Sequence, residues 1–228
     1  RTFENKVIGL KTDKKEYAGN LIIVATGVKP NTEFLKDTGI ELFTNGAIVI
    51  NRFGETNIPN VYAAGDCATV YHSVLEKNVY IALATTANKL GRLIGENLTG
   101  ANKAFIGTLG SAGIKVLEFE AARTGITEQE AKDNNINYKT VFVDGEDHAA
   151  YYPGGEDVYI KLIYNADTKI LLGAQVAGKR GAALRADSLA VAIQNKMTVQ
   201  ELANMDFLYA PPFATTWDIM NVAGNVAK

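Results

Sequence analysis

A run of apolar residues that ends in glycine and aspartate, residues 60–66 (NVYAAGD), constrains the fold more than any other segment. It predicts a short buried strand at 60–64, and open α/β sheets bind their ligands at the carboxyl ends of such strands. Gly65 has no side chain, so a ligand can approach the backbone there. The Asp66 carboxylate can accept strong hydrogen bonds from sugar hydroxyls. The same spacing fits equally well an aspartate that only caps the following turn.

The segment after Asp66 adds weight to the ligand interpretation. Residues 79–97 carry apolar side chains at spacings of three and four, which predicts a long helix. We expect Ala82, Leu83 and Ala84 in its first turn, where free N–H groups and partial positive charge suit an electron-rich ring edge. Small residues would let a flat ligand come close. Alanines are also common in plain helix packing.

Further short apolar runs precede this segment. Residues 5–24 predict a hairpin that leads into a buried strand at 21–24 (LIIV), and residues 47–50 (AIVI) predict another short buried strand. Together with the strand at 60–64 and the long helix, they predict an α/β arrangement for about residues 1–104.

The composition shifts at about residue 104, where strands and then helices follow one another. Capping signals at Thr127 with Glu130, and at Thr198, predict helix starts. We expect an α+β unit with a mostly antiparallel sheet. Its strands are predicted at 114–119, 138–143, 158–164 and 170–177, and its helices at 127–134, 182–195, from 198 onward and 216–227.

The charge and the rare residues exclude several classes of function. The net charge is −2 without long charged blocks, so we expect neither nucleic acid nor an anionic membrane as a partner. No apolar run is long enough to span a bilayer. One cysteine and two histidines argue against a structural metal site, and we expect no metal. A single thiol suits a reducing cytoplasm.

The first residue is arginine, and it stands in what reads as the middle of a strand. No basic segment followed by an apolar one marks a signal peptide. We therefore expect a piece of a longer protein.

Three segments in fixed order resemble a known family. Residues 25–31 (ATGVKPN), 60–66 and 81–87 (IALATTA) are similar to consecutive signatures of the flavin-dependent pyridine nucleotide–disulfide oxidoreductases, in the group of NADH oxidase, NADH peroxidase and coenzyme A-disulfide reductase. Residues 206–213 (DFLYAPPF) resemble the active-site segment of the dimerisation domain in coenzyme A-disulfide reductases. The resemblance covers nearly the whole chain, as the C-terminal portion of such an enzyme.

This resemblance implies a domain plan and an activity. Residues 1–30 would end the NAD(P)-binding domain, 31–104 would form the second half of the FAD-binding domain, and 105–228 would be the dimerisation domain of a homodimer. Electrons would pass from NAD(P)H through FAD to a cysteine-based centre. That centre would reduce a disulfide such as coenzyme A disulfide, or dioxygen in an NADH oxidase.

The resemblance also implies roles for individual residues at the cofactors. Asp66, with Gly65 beside it, would bind the ribityl chain of FAD. The backbone groups of Ala82, Leu83 and Ala84 would face the pyrimidine edge of the flavin ring. Gly27 would lie near the path of the nicotinamide nucleotide.

Two tyrosines are candidate catalytic residues by the same resemblance. Tyr151 and Tyr209 stand in contexts similar to the tyrosines that reach the partner subunit's cysteine in coenzyme A-disulfide reductases. A phenol there can act as a general acid or an orienting donor. Tyrosine in a proline-flanked loop can also simply fill an interface.

Several family features are missing from this sequence. No Gly-x-Gly-x-x-Gly motif is present, so we expect neither pyrophosphate loop in this chain. The family's redox cysteine would lie upstream, and Cys67 is interpreted as a small buried filler. Trp217 stands near the position where some coenzyme A-disulfide reductases have a basic residue for the coenzyme's phosphate. Lys179, Arg180 and Arg185 could replace it, or could be solvated charges at a helix entry.

Overall fold

The computed structural model describes residues 2–227, which form two compact units that divide between Pro30 and Asn31. The expectation that Arg1 lies in a strand therefore falls outside the described residues. The first unit contains two short antiparallel pairs. Its strands are β1 (Thr2–Phe3), β2 (Lys6–Val7), β3 (Gly9–Lys11) and β4 (Glu16–Ala18).

The buried strand expected at 21–24 is wrong. Residues 21–24 lie outside every strand, and Leu21, Ile23 and Val24 are 78%, 80% and 79% exposed. A strand needs a neighbour for its N–H and C=O groups. Among the described residues, the first unit has only the pairs β1–β2 and β3–β4. The apolar run therefore has no described sheet to join.

The second unit begins with a loop-rich region. It contains a 3₁₀ turn at Glu33–Leu35 and an antiparallel hairpin of β5 (Val70–His72) and β6 (Lys77–Val79). The strands expected at 47–50 and 60–64 are wrong, because these residues form only isolated bridges such as Ile48 with Ala68. The first run is nonetheless largely buried. A small core forms there from Ile48, Ile50, Ala68, Val70, Leu90 and Phe105.

Helix α1 (Ala84–Leu98) begins five residues later than expected. Val79 pairs with Val70 in the hairpin, which keeps its backbone extended. Leu83 is also extended and occupies the N-cap position. Of the three residues expected in the first turn, only Ala84 is helical, while Ala82 and Leu83 form the approach to it.

A five-stranded antiparallel sheet dominates the rest of the unit, with the order β7-β8-β11-β10-β9. This arrangement confirms the expected α+β fold with an antiparallel sheet. The strands are β7 (Ala112–Val116), β8 (Phe119–Gly125), β9 (Tyr138–Glu146), β10 (Asp157–Asn165) and β11 (Leu171–Gly178). The single strand expected at 114–119 is wrong, because Leu117 adopts a positive φ of 55° and turns the chain into β8.

The two faces of the sheet differ in their cover. Ile160 pairs with Val143, and Leu162 pairs with Val141; all four side chains are buried. Residues at alternate positions, such as Phe142 and Tyr159, point to the other face, as the period of a strand requires. The covered face packs against α3 (Ala182–Gln194), which lies on β8 and β11, and α5 (Ile219–Val226), which lies on β9 and β10.

The helix caps follow the sequence signals closely. Thr127 and Glu130 form the expected capping box of α2 (Glu128–Asp133), and Thr198 with Glu201 forms another at α4 (Val199–Ala203). Asp218 caps α5, which begins about three residues later than expected. No helix within residues 2–227 has the length and apolarity needed to cross a membrane.

Candidate functional site

Gly65 and the start of α1 come together in the structure. Gly65 has a φ of +89°, a conformation that favours glycine, and a Cβ at this position would lie 3.8 Å from the Cβ of Ala87. The first turn of α1 therefore packs directly over the glycine. Asp66 follows with an exposed side chain, and its backbone carbonyl accepts a hydrogen bond from the Tyr80 hydroxyl at 3.0 Å. The carboxylate is thus open to solvent beside the helix start.

The N-terminus of α1 is open to an electron-rich group. Leu83 provides no side-chain cap, and the first turn, residues 84–87 (ATTA), contains no acidic residue. The first N–H groups of a helix have no intrahelical acceptor and carry partial positive charge. Ala84 and Thr85 are exposed. This arrangement differs from α2 and α4, whose first turns are closed by capping boxes.

Tyr80 and Cys67 line the same region. Partial burial, followed by the nearby charges of Asp66 and Cys67, raises the pKa of Tyr80, so its hydroxyl stays protonated and donates. The Cys67 thiol is half-buried and points at the carbonyl of Ala64 at 3.5 Å. It packs against the small core with Ile48, which is compatible with a filler.

Gly27 lies in the first unit, in the exposed segment that follows residues 21–24. Its φ is +87°, and no atom within 4 Å would meet an added Cβ. The backbone there is open to an approaching ligand. Gly27 belongs to the first unit, whereas Asp66 and α1 belong to the second.

The two candidate tyrosines are in direct contact. The hydroxyls of Tyr151 and Tyr209 lie 2.7 Å apart, although 58 positions separate the residues in sequence. Their side chains are 73% and 45% exposed. The hydrogen bond to Tyr209 is the main reason that the pKa of Tyr151 is raised. One hydroxyl can therefore donate to the other while the second donates outward.

Backbone contacts hold the two tyrosine loops together. The N–H of Ala149 donates to the carbonyl of Pro211 at 3.3 Å, and the N–H of Tyr152 donates to the carbonyl of Ala149 at 2.8 Å. The Tyr209 loop is the segment between α4 and Asp218. At its start, the Asn221 side chain donates hydrogen bonds to the carbonyls of residues 202, 203 and 205, at 3.3, 3.1 and 2.9 Å. The loop ends at Asp218, which caps α5. Both ends are thus fixed to one helix.

A buried group of ionisable residues connects these loops, and it was missed at the level of sequence. Its members are Asp147, His148, Arg185 and Asp218, each less than 9% exposed. Arg185 donates to the Asp218 carboxylate at 2.8 and 3.0 Å and to the carbonyl of Asp147 at 2.9 Å. The interpretation of Arg185 as a phosphate ligand or a solvated charge is therefore wrong. A signal was present, because Arg185 falls on the apolar stripe of α3, where a charge must be paired.

The Tyr151 loop is closed by Asp147 and His148. The Asp147 carboxylate accepts from the N–H of Glu156 at 2.9 Å and lies 3.3 Å from Nε of Arg180. His148 Nε2 lies 3.2 Å from the carbonyl of Tyr152. Its Nδ1 is 2.7 Å from the Asp147 carboxylate, at an angle that makes no hydrogen bond. Residues 147–156 therefore form a loop that is held by hydrogen bonds between its own residues.

No group of three or more histidine, cysteine, aspartate or glutamate residues within 2–227 is arranged to hold a metal ion. The chemistry that these sites can support is hydrogen bonding and proton donation by phenols, together with anion stabilisation at a helix end.

Comparison with known proteins identifies the family. Residues 111–220 match the family model described as pyridine nucleotide-disulphide oxidoreductase, dimerisation domain, and residues 3–91 match the model described as pyridine nucleotide-disulphide oxidoreductase. The chain belongs to this family. The matched ranges contain both the Asp66 region and the tyrosine loops.

Named members of the family are similar over nearly all of this chain. The NAD(P)H sulfur oxidoreductase (CoA-dependent) of Pyrococcus furiosus is 39% identical over 95% of the chain and 49% of its own length. The NADH oxidase of Enterococcus faecalis is 34% identical over 98% of the chain and 50% of its length. The coenzyme A disulfide reductase of Staphylococcus aureus is 34% identical over 97% of the chain and 50% of its length. The chain thus spans about half the length of these relatives.

Solved structures of the family have the same fold. The crystal structure of reduced Bacillus anthracis CoADR-RHD superposes with a TM-score of 0.91 at 34% identity, over 98% of this chain and 41% of that one. The NAD-dependent persulfide reductase from A. fulgidus gives a TM-score of 0.88 at 39% identity, over 93% of this chain and 39% of that one.

Proposed function

We propose that this chain is part of a FAD-dependent oxidoreductase that passes electrons from NAD(P)H through FAD to a cysteine-based centre and reduces a disulfide such as coenzyme A disulfide. The observation that carries the proposal is the exposed phenol pair, with the Tyr151 and Tyr209 hydroxyls 2.7 Å apart. Family membership supports it, as do relatives named for coenzyme A disulfide and for sulfur reduction. Reduction of one disulfide consumes one NAD(P)H and one proton and yields two thiols.

The residues at Asp66 and α1 fit FAD. The Asp66 carboxylate would accept hydrogen bonds from ribityl hydroxyls, and the absence of a side chain at Gly65 leaves room for the cofactor. The uncapped first turn of α1 would place its N–H groups at the pyrimidine edge of the flavin. FAD supplies the transfer of electrons from the nicotinamide. This chain's contribution is orientation and a positive helix end that favours an anionic flavin.

The phenol pair suits the end of the reaction. A thiolate that leaves a broken disulfide needs a proton or a strong hydrogen bond, and a positioned phenol can supply either. Because the two hydroxyls are hydrogen-bonded to each other, a proton that one donates outward can be replaced by a proton from the other. We propose that this surface faces the reactive cysteine of a partner subunit in a homodimer.

Dioxygen is the second candidate acceptor. The three cations near the helix entry that are candidates for binding the phosphate of a coenzyme are paired: Lys179 with Glu156, Arg180 with Asp147 and Arg185 with Asp218. Trp217 stands near the position where some coenzyme A-disulfide reductases have a basic residue. The relative from Enterococcus faecalis is named NADH oxidase. The pairing of these three cations supports a small uncharged acceptor such as dioxygen as the second candidate.

Stopped-flow kinetics on a full-length flavoenzyme that contains this chain tests the proposal. Flavin reduction by NAD(P)H and its reoxidation by coenzyme A disulfide or by dioxygen are measured separately. Tyr209→Phe and Tyr151→Phe should slow reoxidation by about 10²–10⁴-fold, the usual contribution of one positioned acid, and leave flavin reduction unchanged. Tyr152→Phe, in the same loop, is the matched control. A loss of two-fold or less in both tyrosine variants would mean that the pair fills an interface.

The isolated chain is proposed to act only as a dimerisation module. It lacks a pyrophosphate loop, so we expect no flavin absorbance to survive gel filtration. Exposed apolar side chains at Leu208, Phe213 and Trp217 support self-association. Ile219 and Met220 are buried in the core and do not add to this surface. Light scattering should exceed the monomer mass of 24.6 kDa, and a monomer at micromolar concentration would contradict the proposal.

We also propose a cytoplasmic location, because one free cysteine and an activity that depends on thiols suit a reducing compartment.

A further inference from the structure

The Arg185 side chain donates hydrogen bonds both to Asp147, in the 147–156 loop, and to Asp218, at the end of the Tyr209 loop. Arg185 is 8% exposed and comes from α3, a third element that belongs to neither loop. The two loops thus share one buried donor. The tyrosines lie on these two loops and are exposed.

The local backbone makes room for this guanidinium. Gly181 precedes α3 with a φ of +71°, and a Cβ at that position would lie 2.9 Å from the Arg185 Nη1. Arg185 also lies near the carbonyl of Gly181, at 3.5 Å. A side chain at position 181 would therefore displace the arginine.

The energetics favour a role in geometry over a role in stability. A buried ion pair often contributes no more to stability than apolar side chains of the same volume would. The planar fork of a guanidinium, however, fixes the direction of several hydrogen bonds at once. Arg185 uses that fork to set the position of Asp147 relative to Asp218, and each of these residues begins or ends a tyrosine loop.

We propose that Arg185 is a positioning residue for the phenol pair, which fastens the two loops so that the Tyr151 and Tyr209 hydroxyls meet. The inference rests on the proposed function for its catalytic meaning. The geometric part of the proposal concerns this chain alone and is tested separately from the catalytic part.

The first test uses the 228-residue chain with tyrosine labelled with ¹³C at Cζ, so that each phenol is titrated by NMR. Tyr209→Phe gives the pKa of Tyr151 without its partner. In Arg185→Lys, whose single ammonium lacks the planar fork, Tyr151 should titrate as it does in Tyr209→Phe. Arg92→Lys, an exposed arginine on α1, is the matched control and should leave Tyr151 unchanged. An unaltered Tyr151 titration in folded Arg185→Lys overturns the proposal.

A second variant guards against a folding failure. Asp218→Asn keeps a good helix cap for α5 but removes the charge that holds Arg185. It should shift the Tyr151 titration in the same direction. If neither variant folds, the buried ionisable group serves to stabilise the fold rather than to position the tyrosines, and the proposal fails.

Kinetics of the full-length flavoenzyme separates the two proposals. Arg185→Lys should slow flavin reoxidation by about 10- to 100-fold, as expected for a misplaced catalytic group, without changing flavin reduction. If the NMR titration shows an opened pair but reoxidation keeps its rate, the catalytic role of the phenols fails while the positioning role stands. If reoxidation slows while the Tyr151 titration is unaltered, Arg185 acts by another route and the positioning role fails.

Discussion

The first unit and the five-stranded sheet start from similar apolar sequences and end in opposite environments. Leu21 in the run 21–24 is 78% exposed, whereas Leu162 in β10 is fully buried. Strand β10 has a neighbour on each side, and α5 covers one face. The run at 21–24 has no neighbouring strand among the described residues. The difference shows that an apolar run acquires strand structure from its partners, not from its own composition.

Hydrogen exchange should show the largest contrast between the two regions. Amides of residues 158–164 are paired on both sides and should exchange only through global opening, which costs about 5–15 kcal/mol in typical domains. Amides of residues 21–28 should exchange at least about 10³-fold faster relative to their unfolded rates. Mass spectrometry of digested, exchange-quenched protein measures both segments in one sample. Equal protection would mean that residues 21–28 join a sheet after all.

A matched pair of leucine substitutions sharpens the comparison. Leu162→Ala should lower the free energy of unfolding by about 2–5 kcal/mol, because it leaves a cavity in the core. Leu21→Ala should change it by no more than about 0.5 kcal/mol. Urea denaturation followed by circular dichroism measures both. If the two variants lose similar stability, the exposed position of Leu21 is wrong.

Acid should destabilise the second unit through His72, since the first unit contains no histidine. His72 is buried and its Nδ1 accepts from the N–H groups of Val74 and Leu75. Burial lowers its pKa below 6.5, so just below that pH the unfolded chain binds more protons than the folded one. Stability should be complete above pH 6.5 and should fall as the pH drops toward the lowered value. In His72→Asn this part of the pH dependence should vanish, and denaturation at pH 7.5 and 5.5 would reveal it.

The smallest effect should come from the half-buried charges that join α2 to the sheet. Glu128 pairs with Lys161 of β10 and with Lys132, which lowers its pKa to about 2. The lowered value means that the pairing stabilises the fold above pH 4.5 and is lost as the pH falls from 4.5 toward 2. Glu128→Gln should therefore be slightly less stable at neutral pH and low salt, and equal to the parent at about 1 M salt. Glu41→Gln, at a residue outside this pairing, is the control. If Glu128→Gln loses the same stability at low and at high salt, packing rather than charge is responsible.

The sequence predicted those features that depend on near neighbours in the chain. The capping boxes at Thr127 and Thr198 and the helix expected at 182–195 all depend on local spacing. The start of α1 was misplaced because Val79 is held extended by Val70, a cross-strand partner that periodicity does not contain.

The candidate site was predictable only in part. Resemblance to a family singled out Tyr151 and Tyr209, but nothing in their spacing shows that the hydroxyls meet. The buried ionisable group was missed because its members come from three separate segments, which tertiary packing alone brings together. Arg185 was detectable in principle as a cation on an apolar stripe, whereas its partners Asp147 and Asp218 were not.

The order of strands in the sheet sets an order of assembly. Strands β9, β10 and β11 follow one another in the chain and pair with their immediate neighbours, so they can form as soon as they are synthesised. The β7–β8 hairpin comes earlier in the chain but pairs with β11, and closing that long loop is slow. During synthesis the hairpin must therefore wait, with one strand edge unpaired, until β11 has left the ribosome. Helix α3 follows directly, so Arg185 arrives when the Tyr151 loop is already closed between β9 and β10.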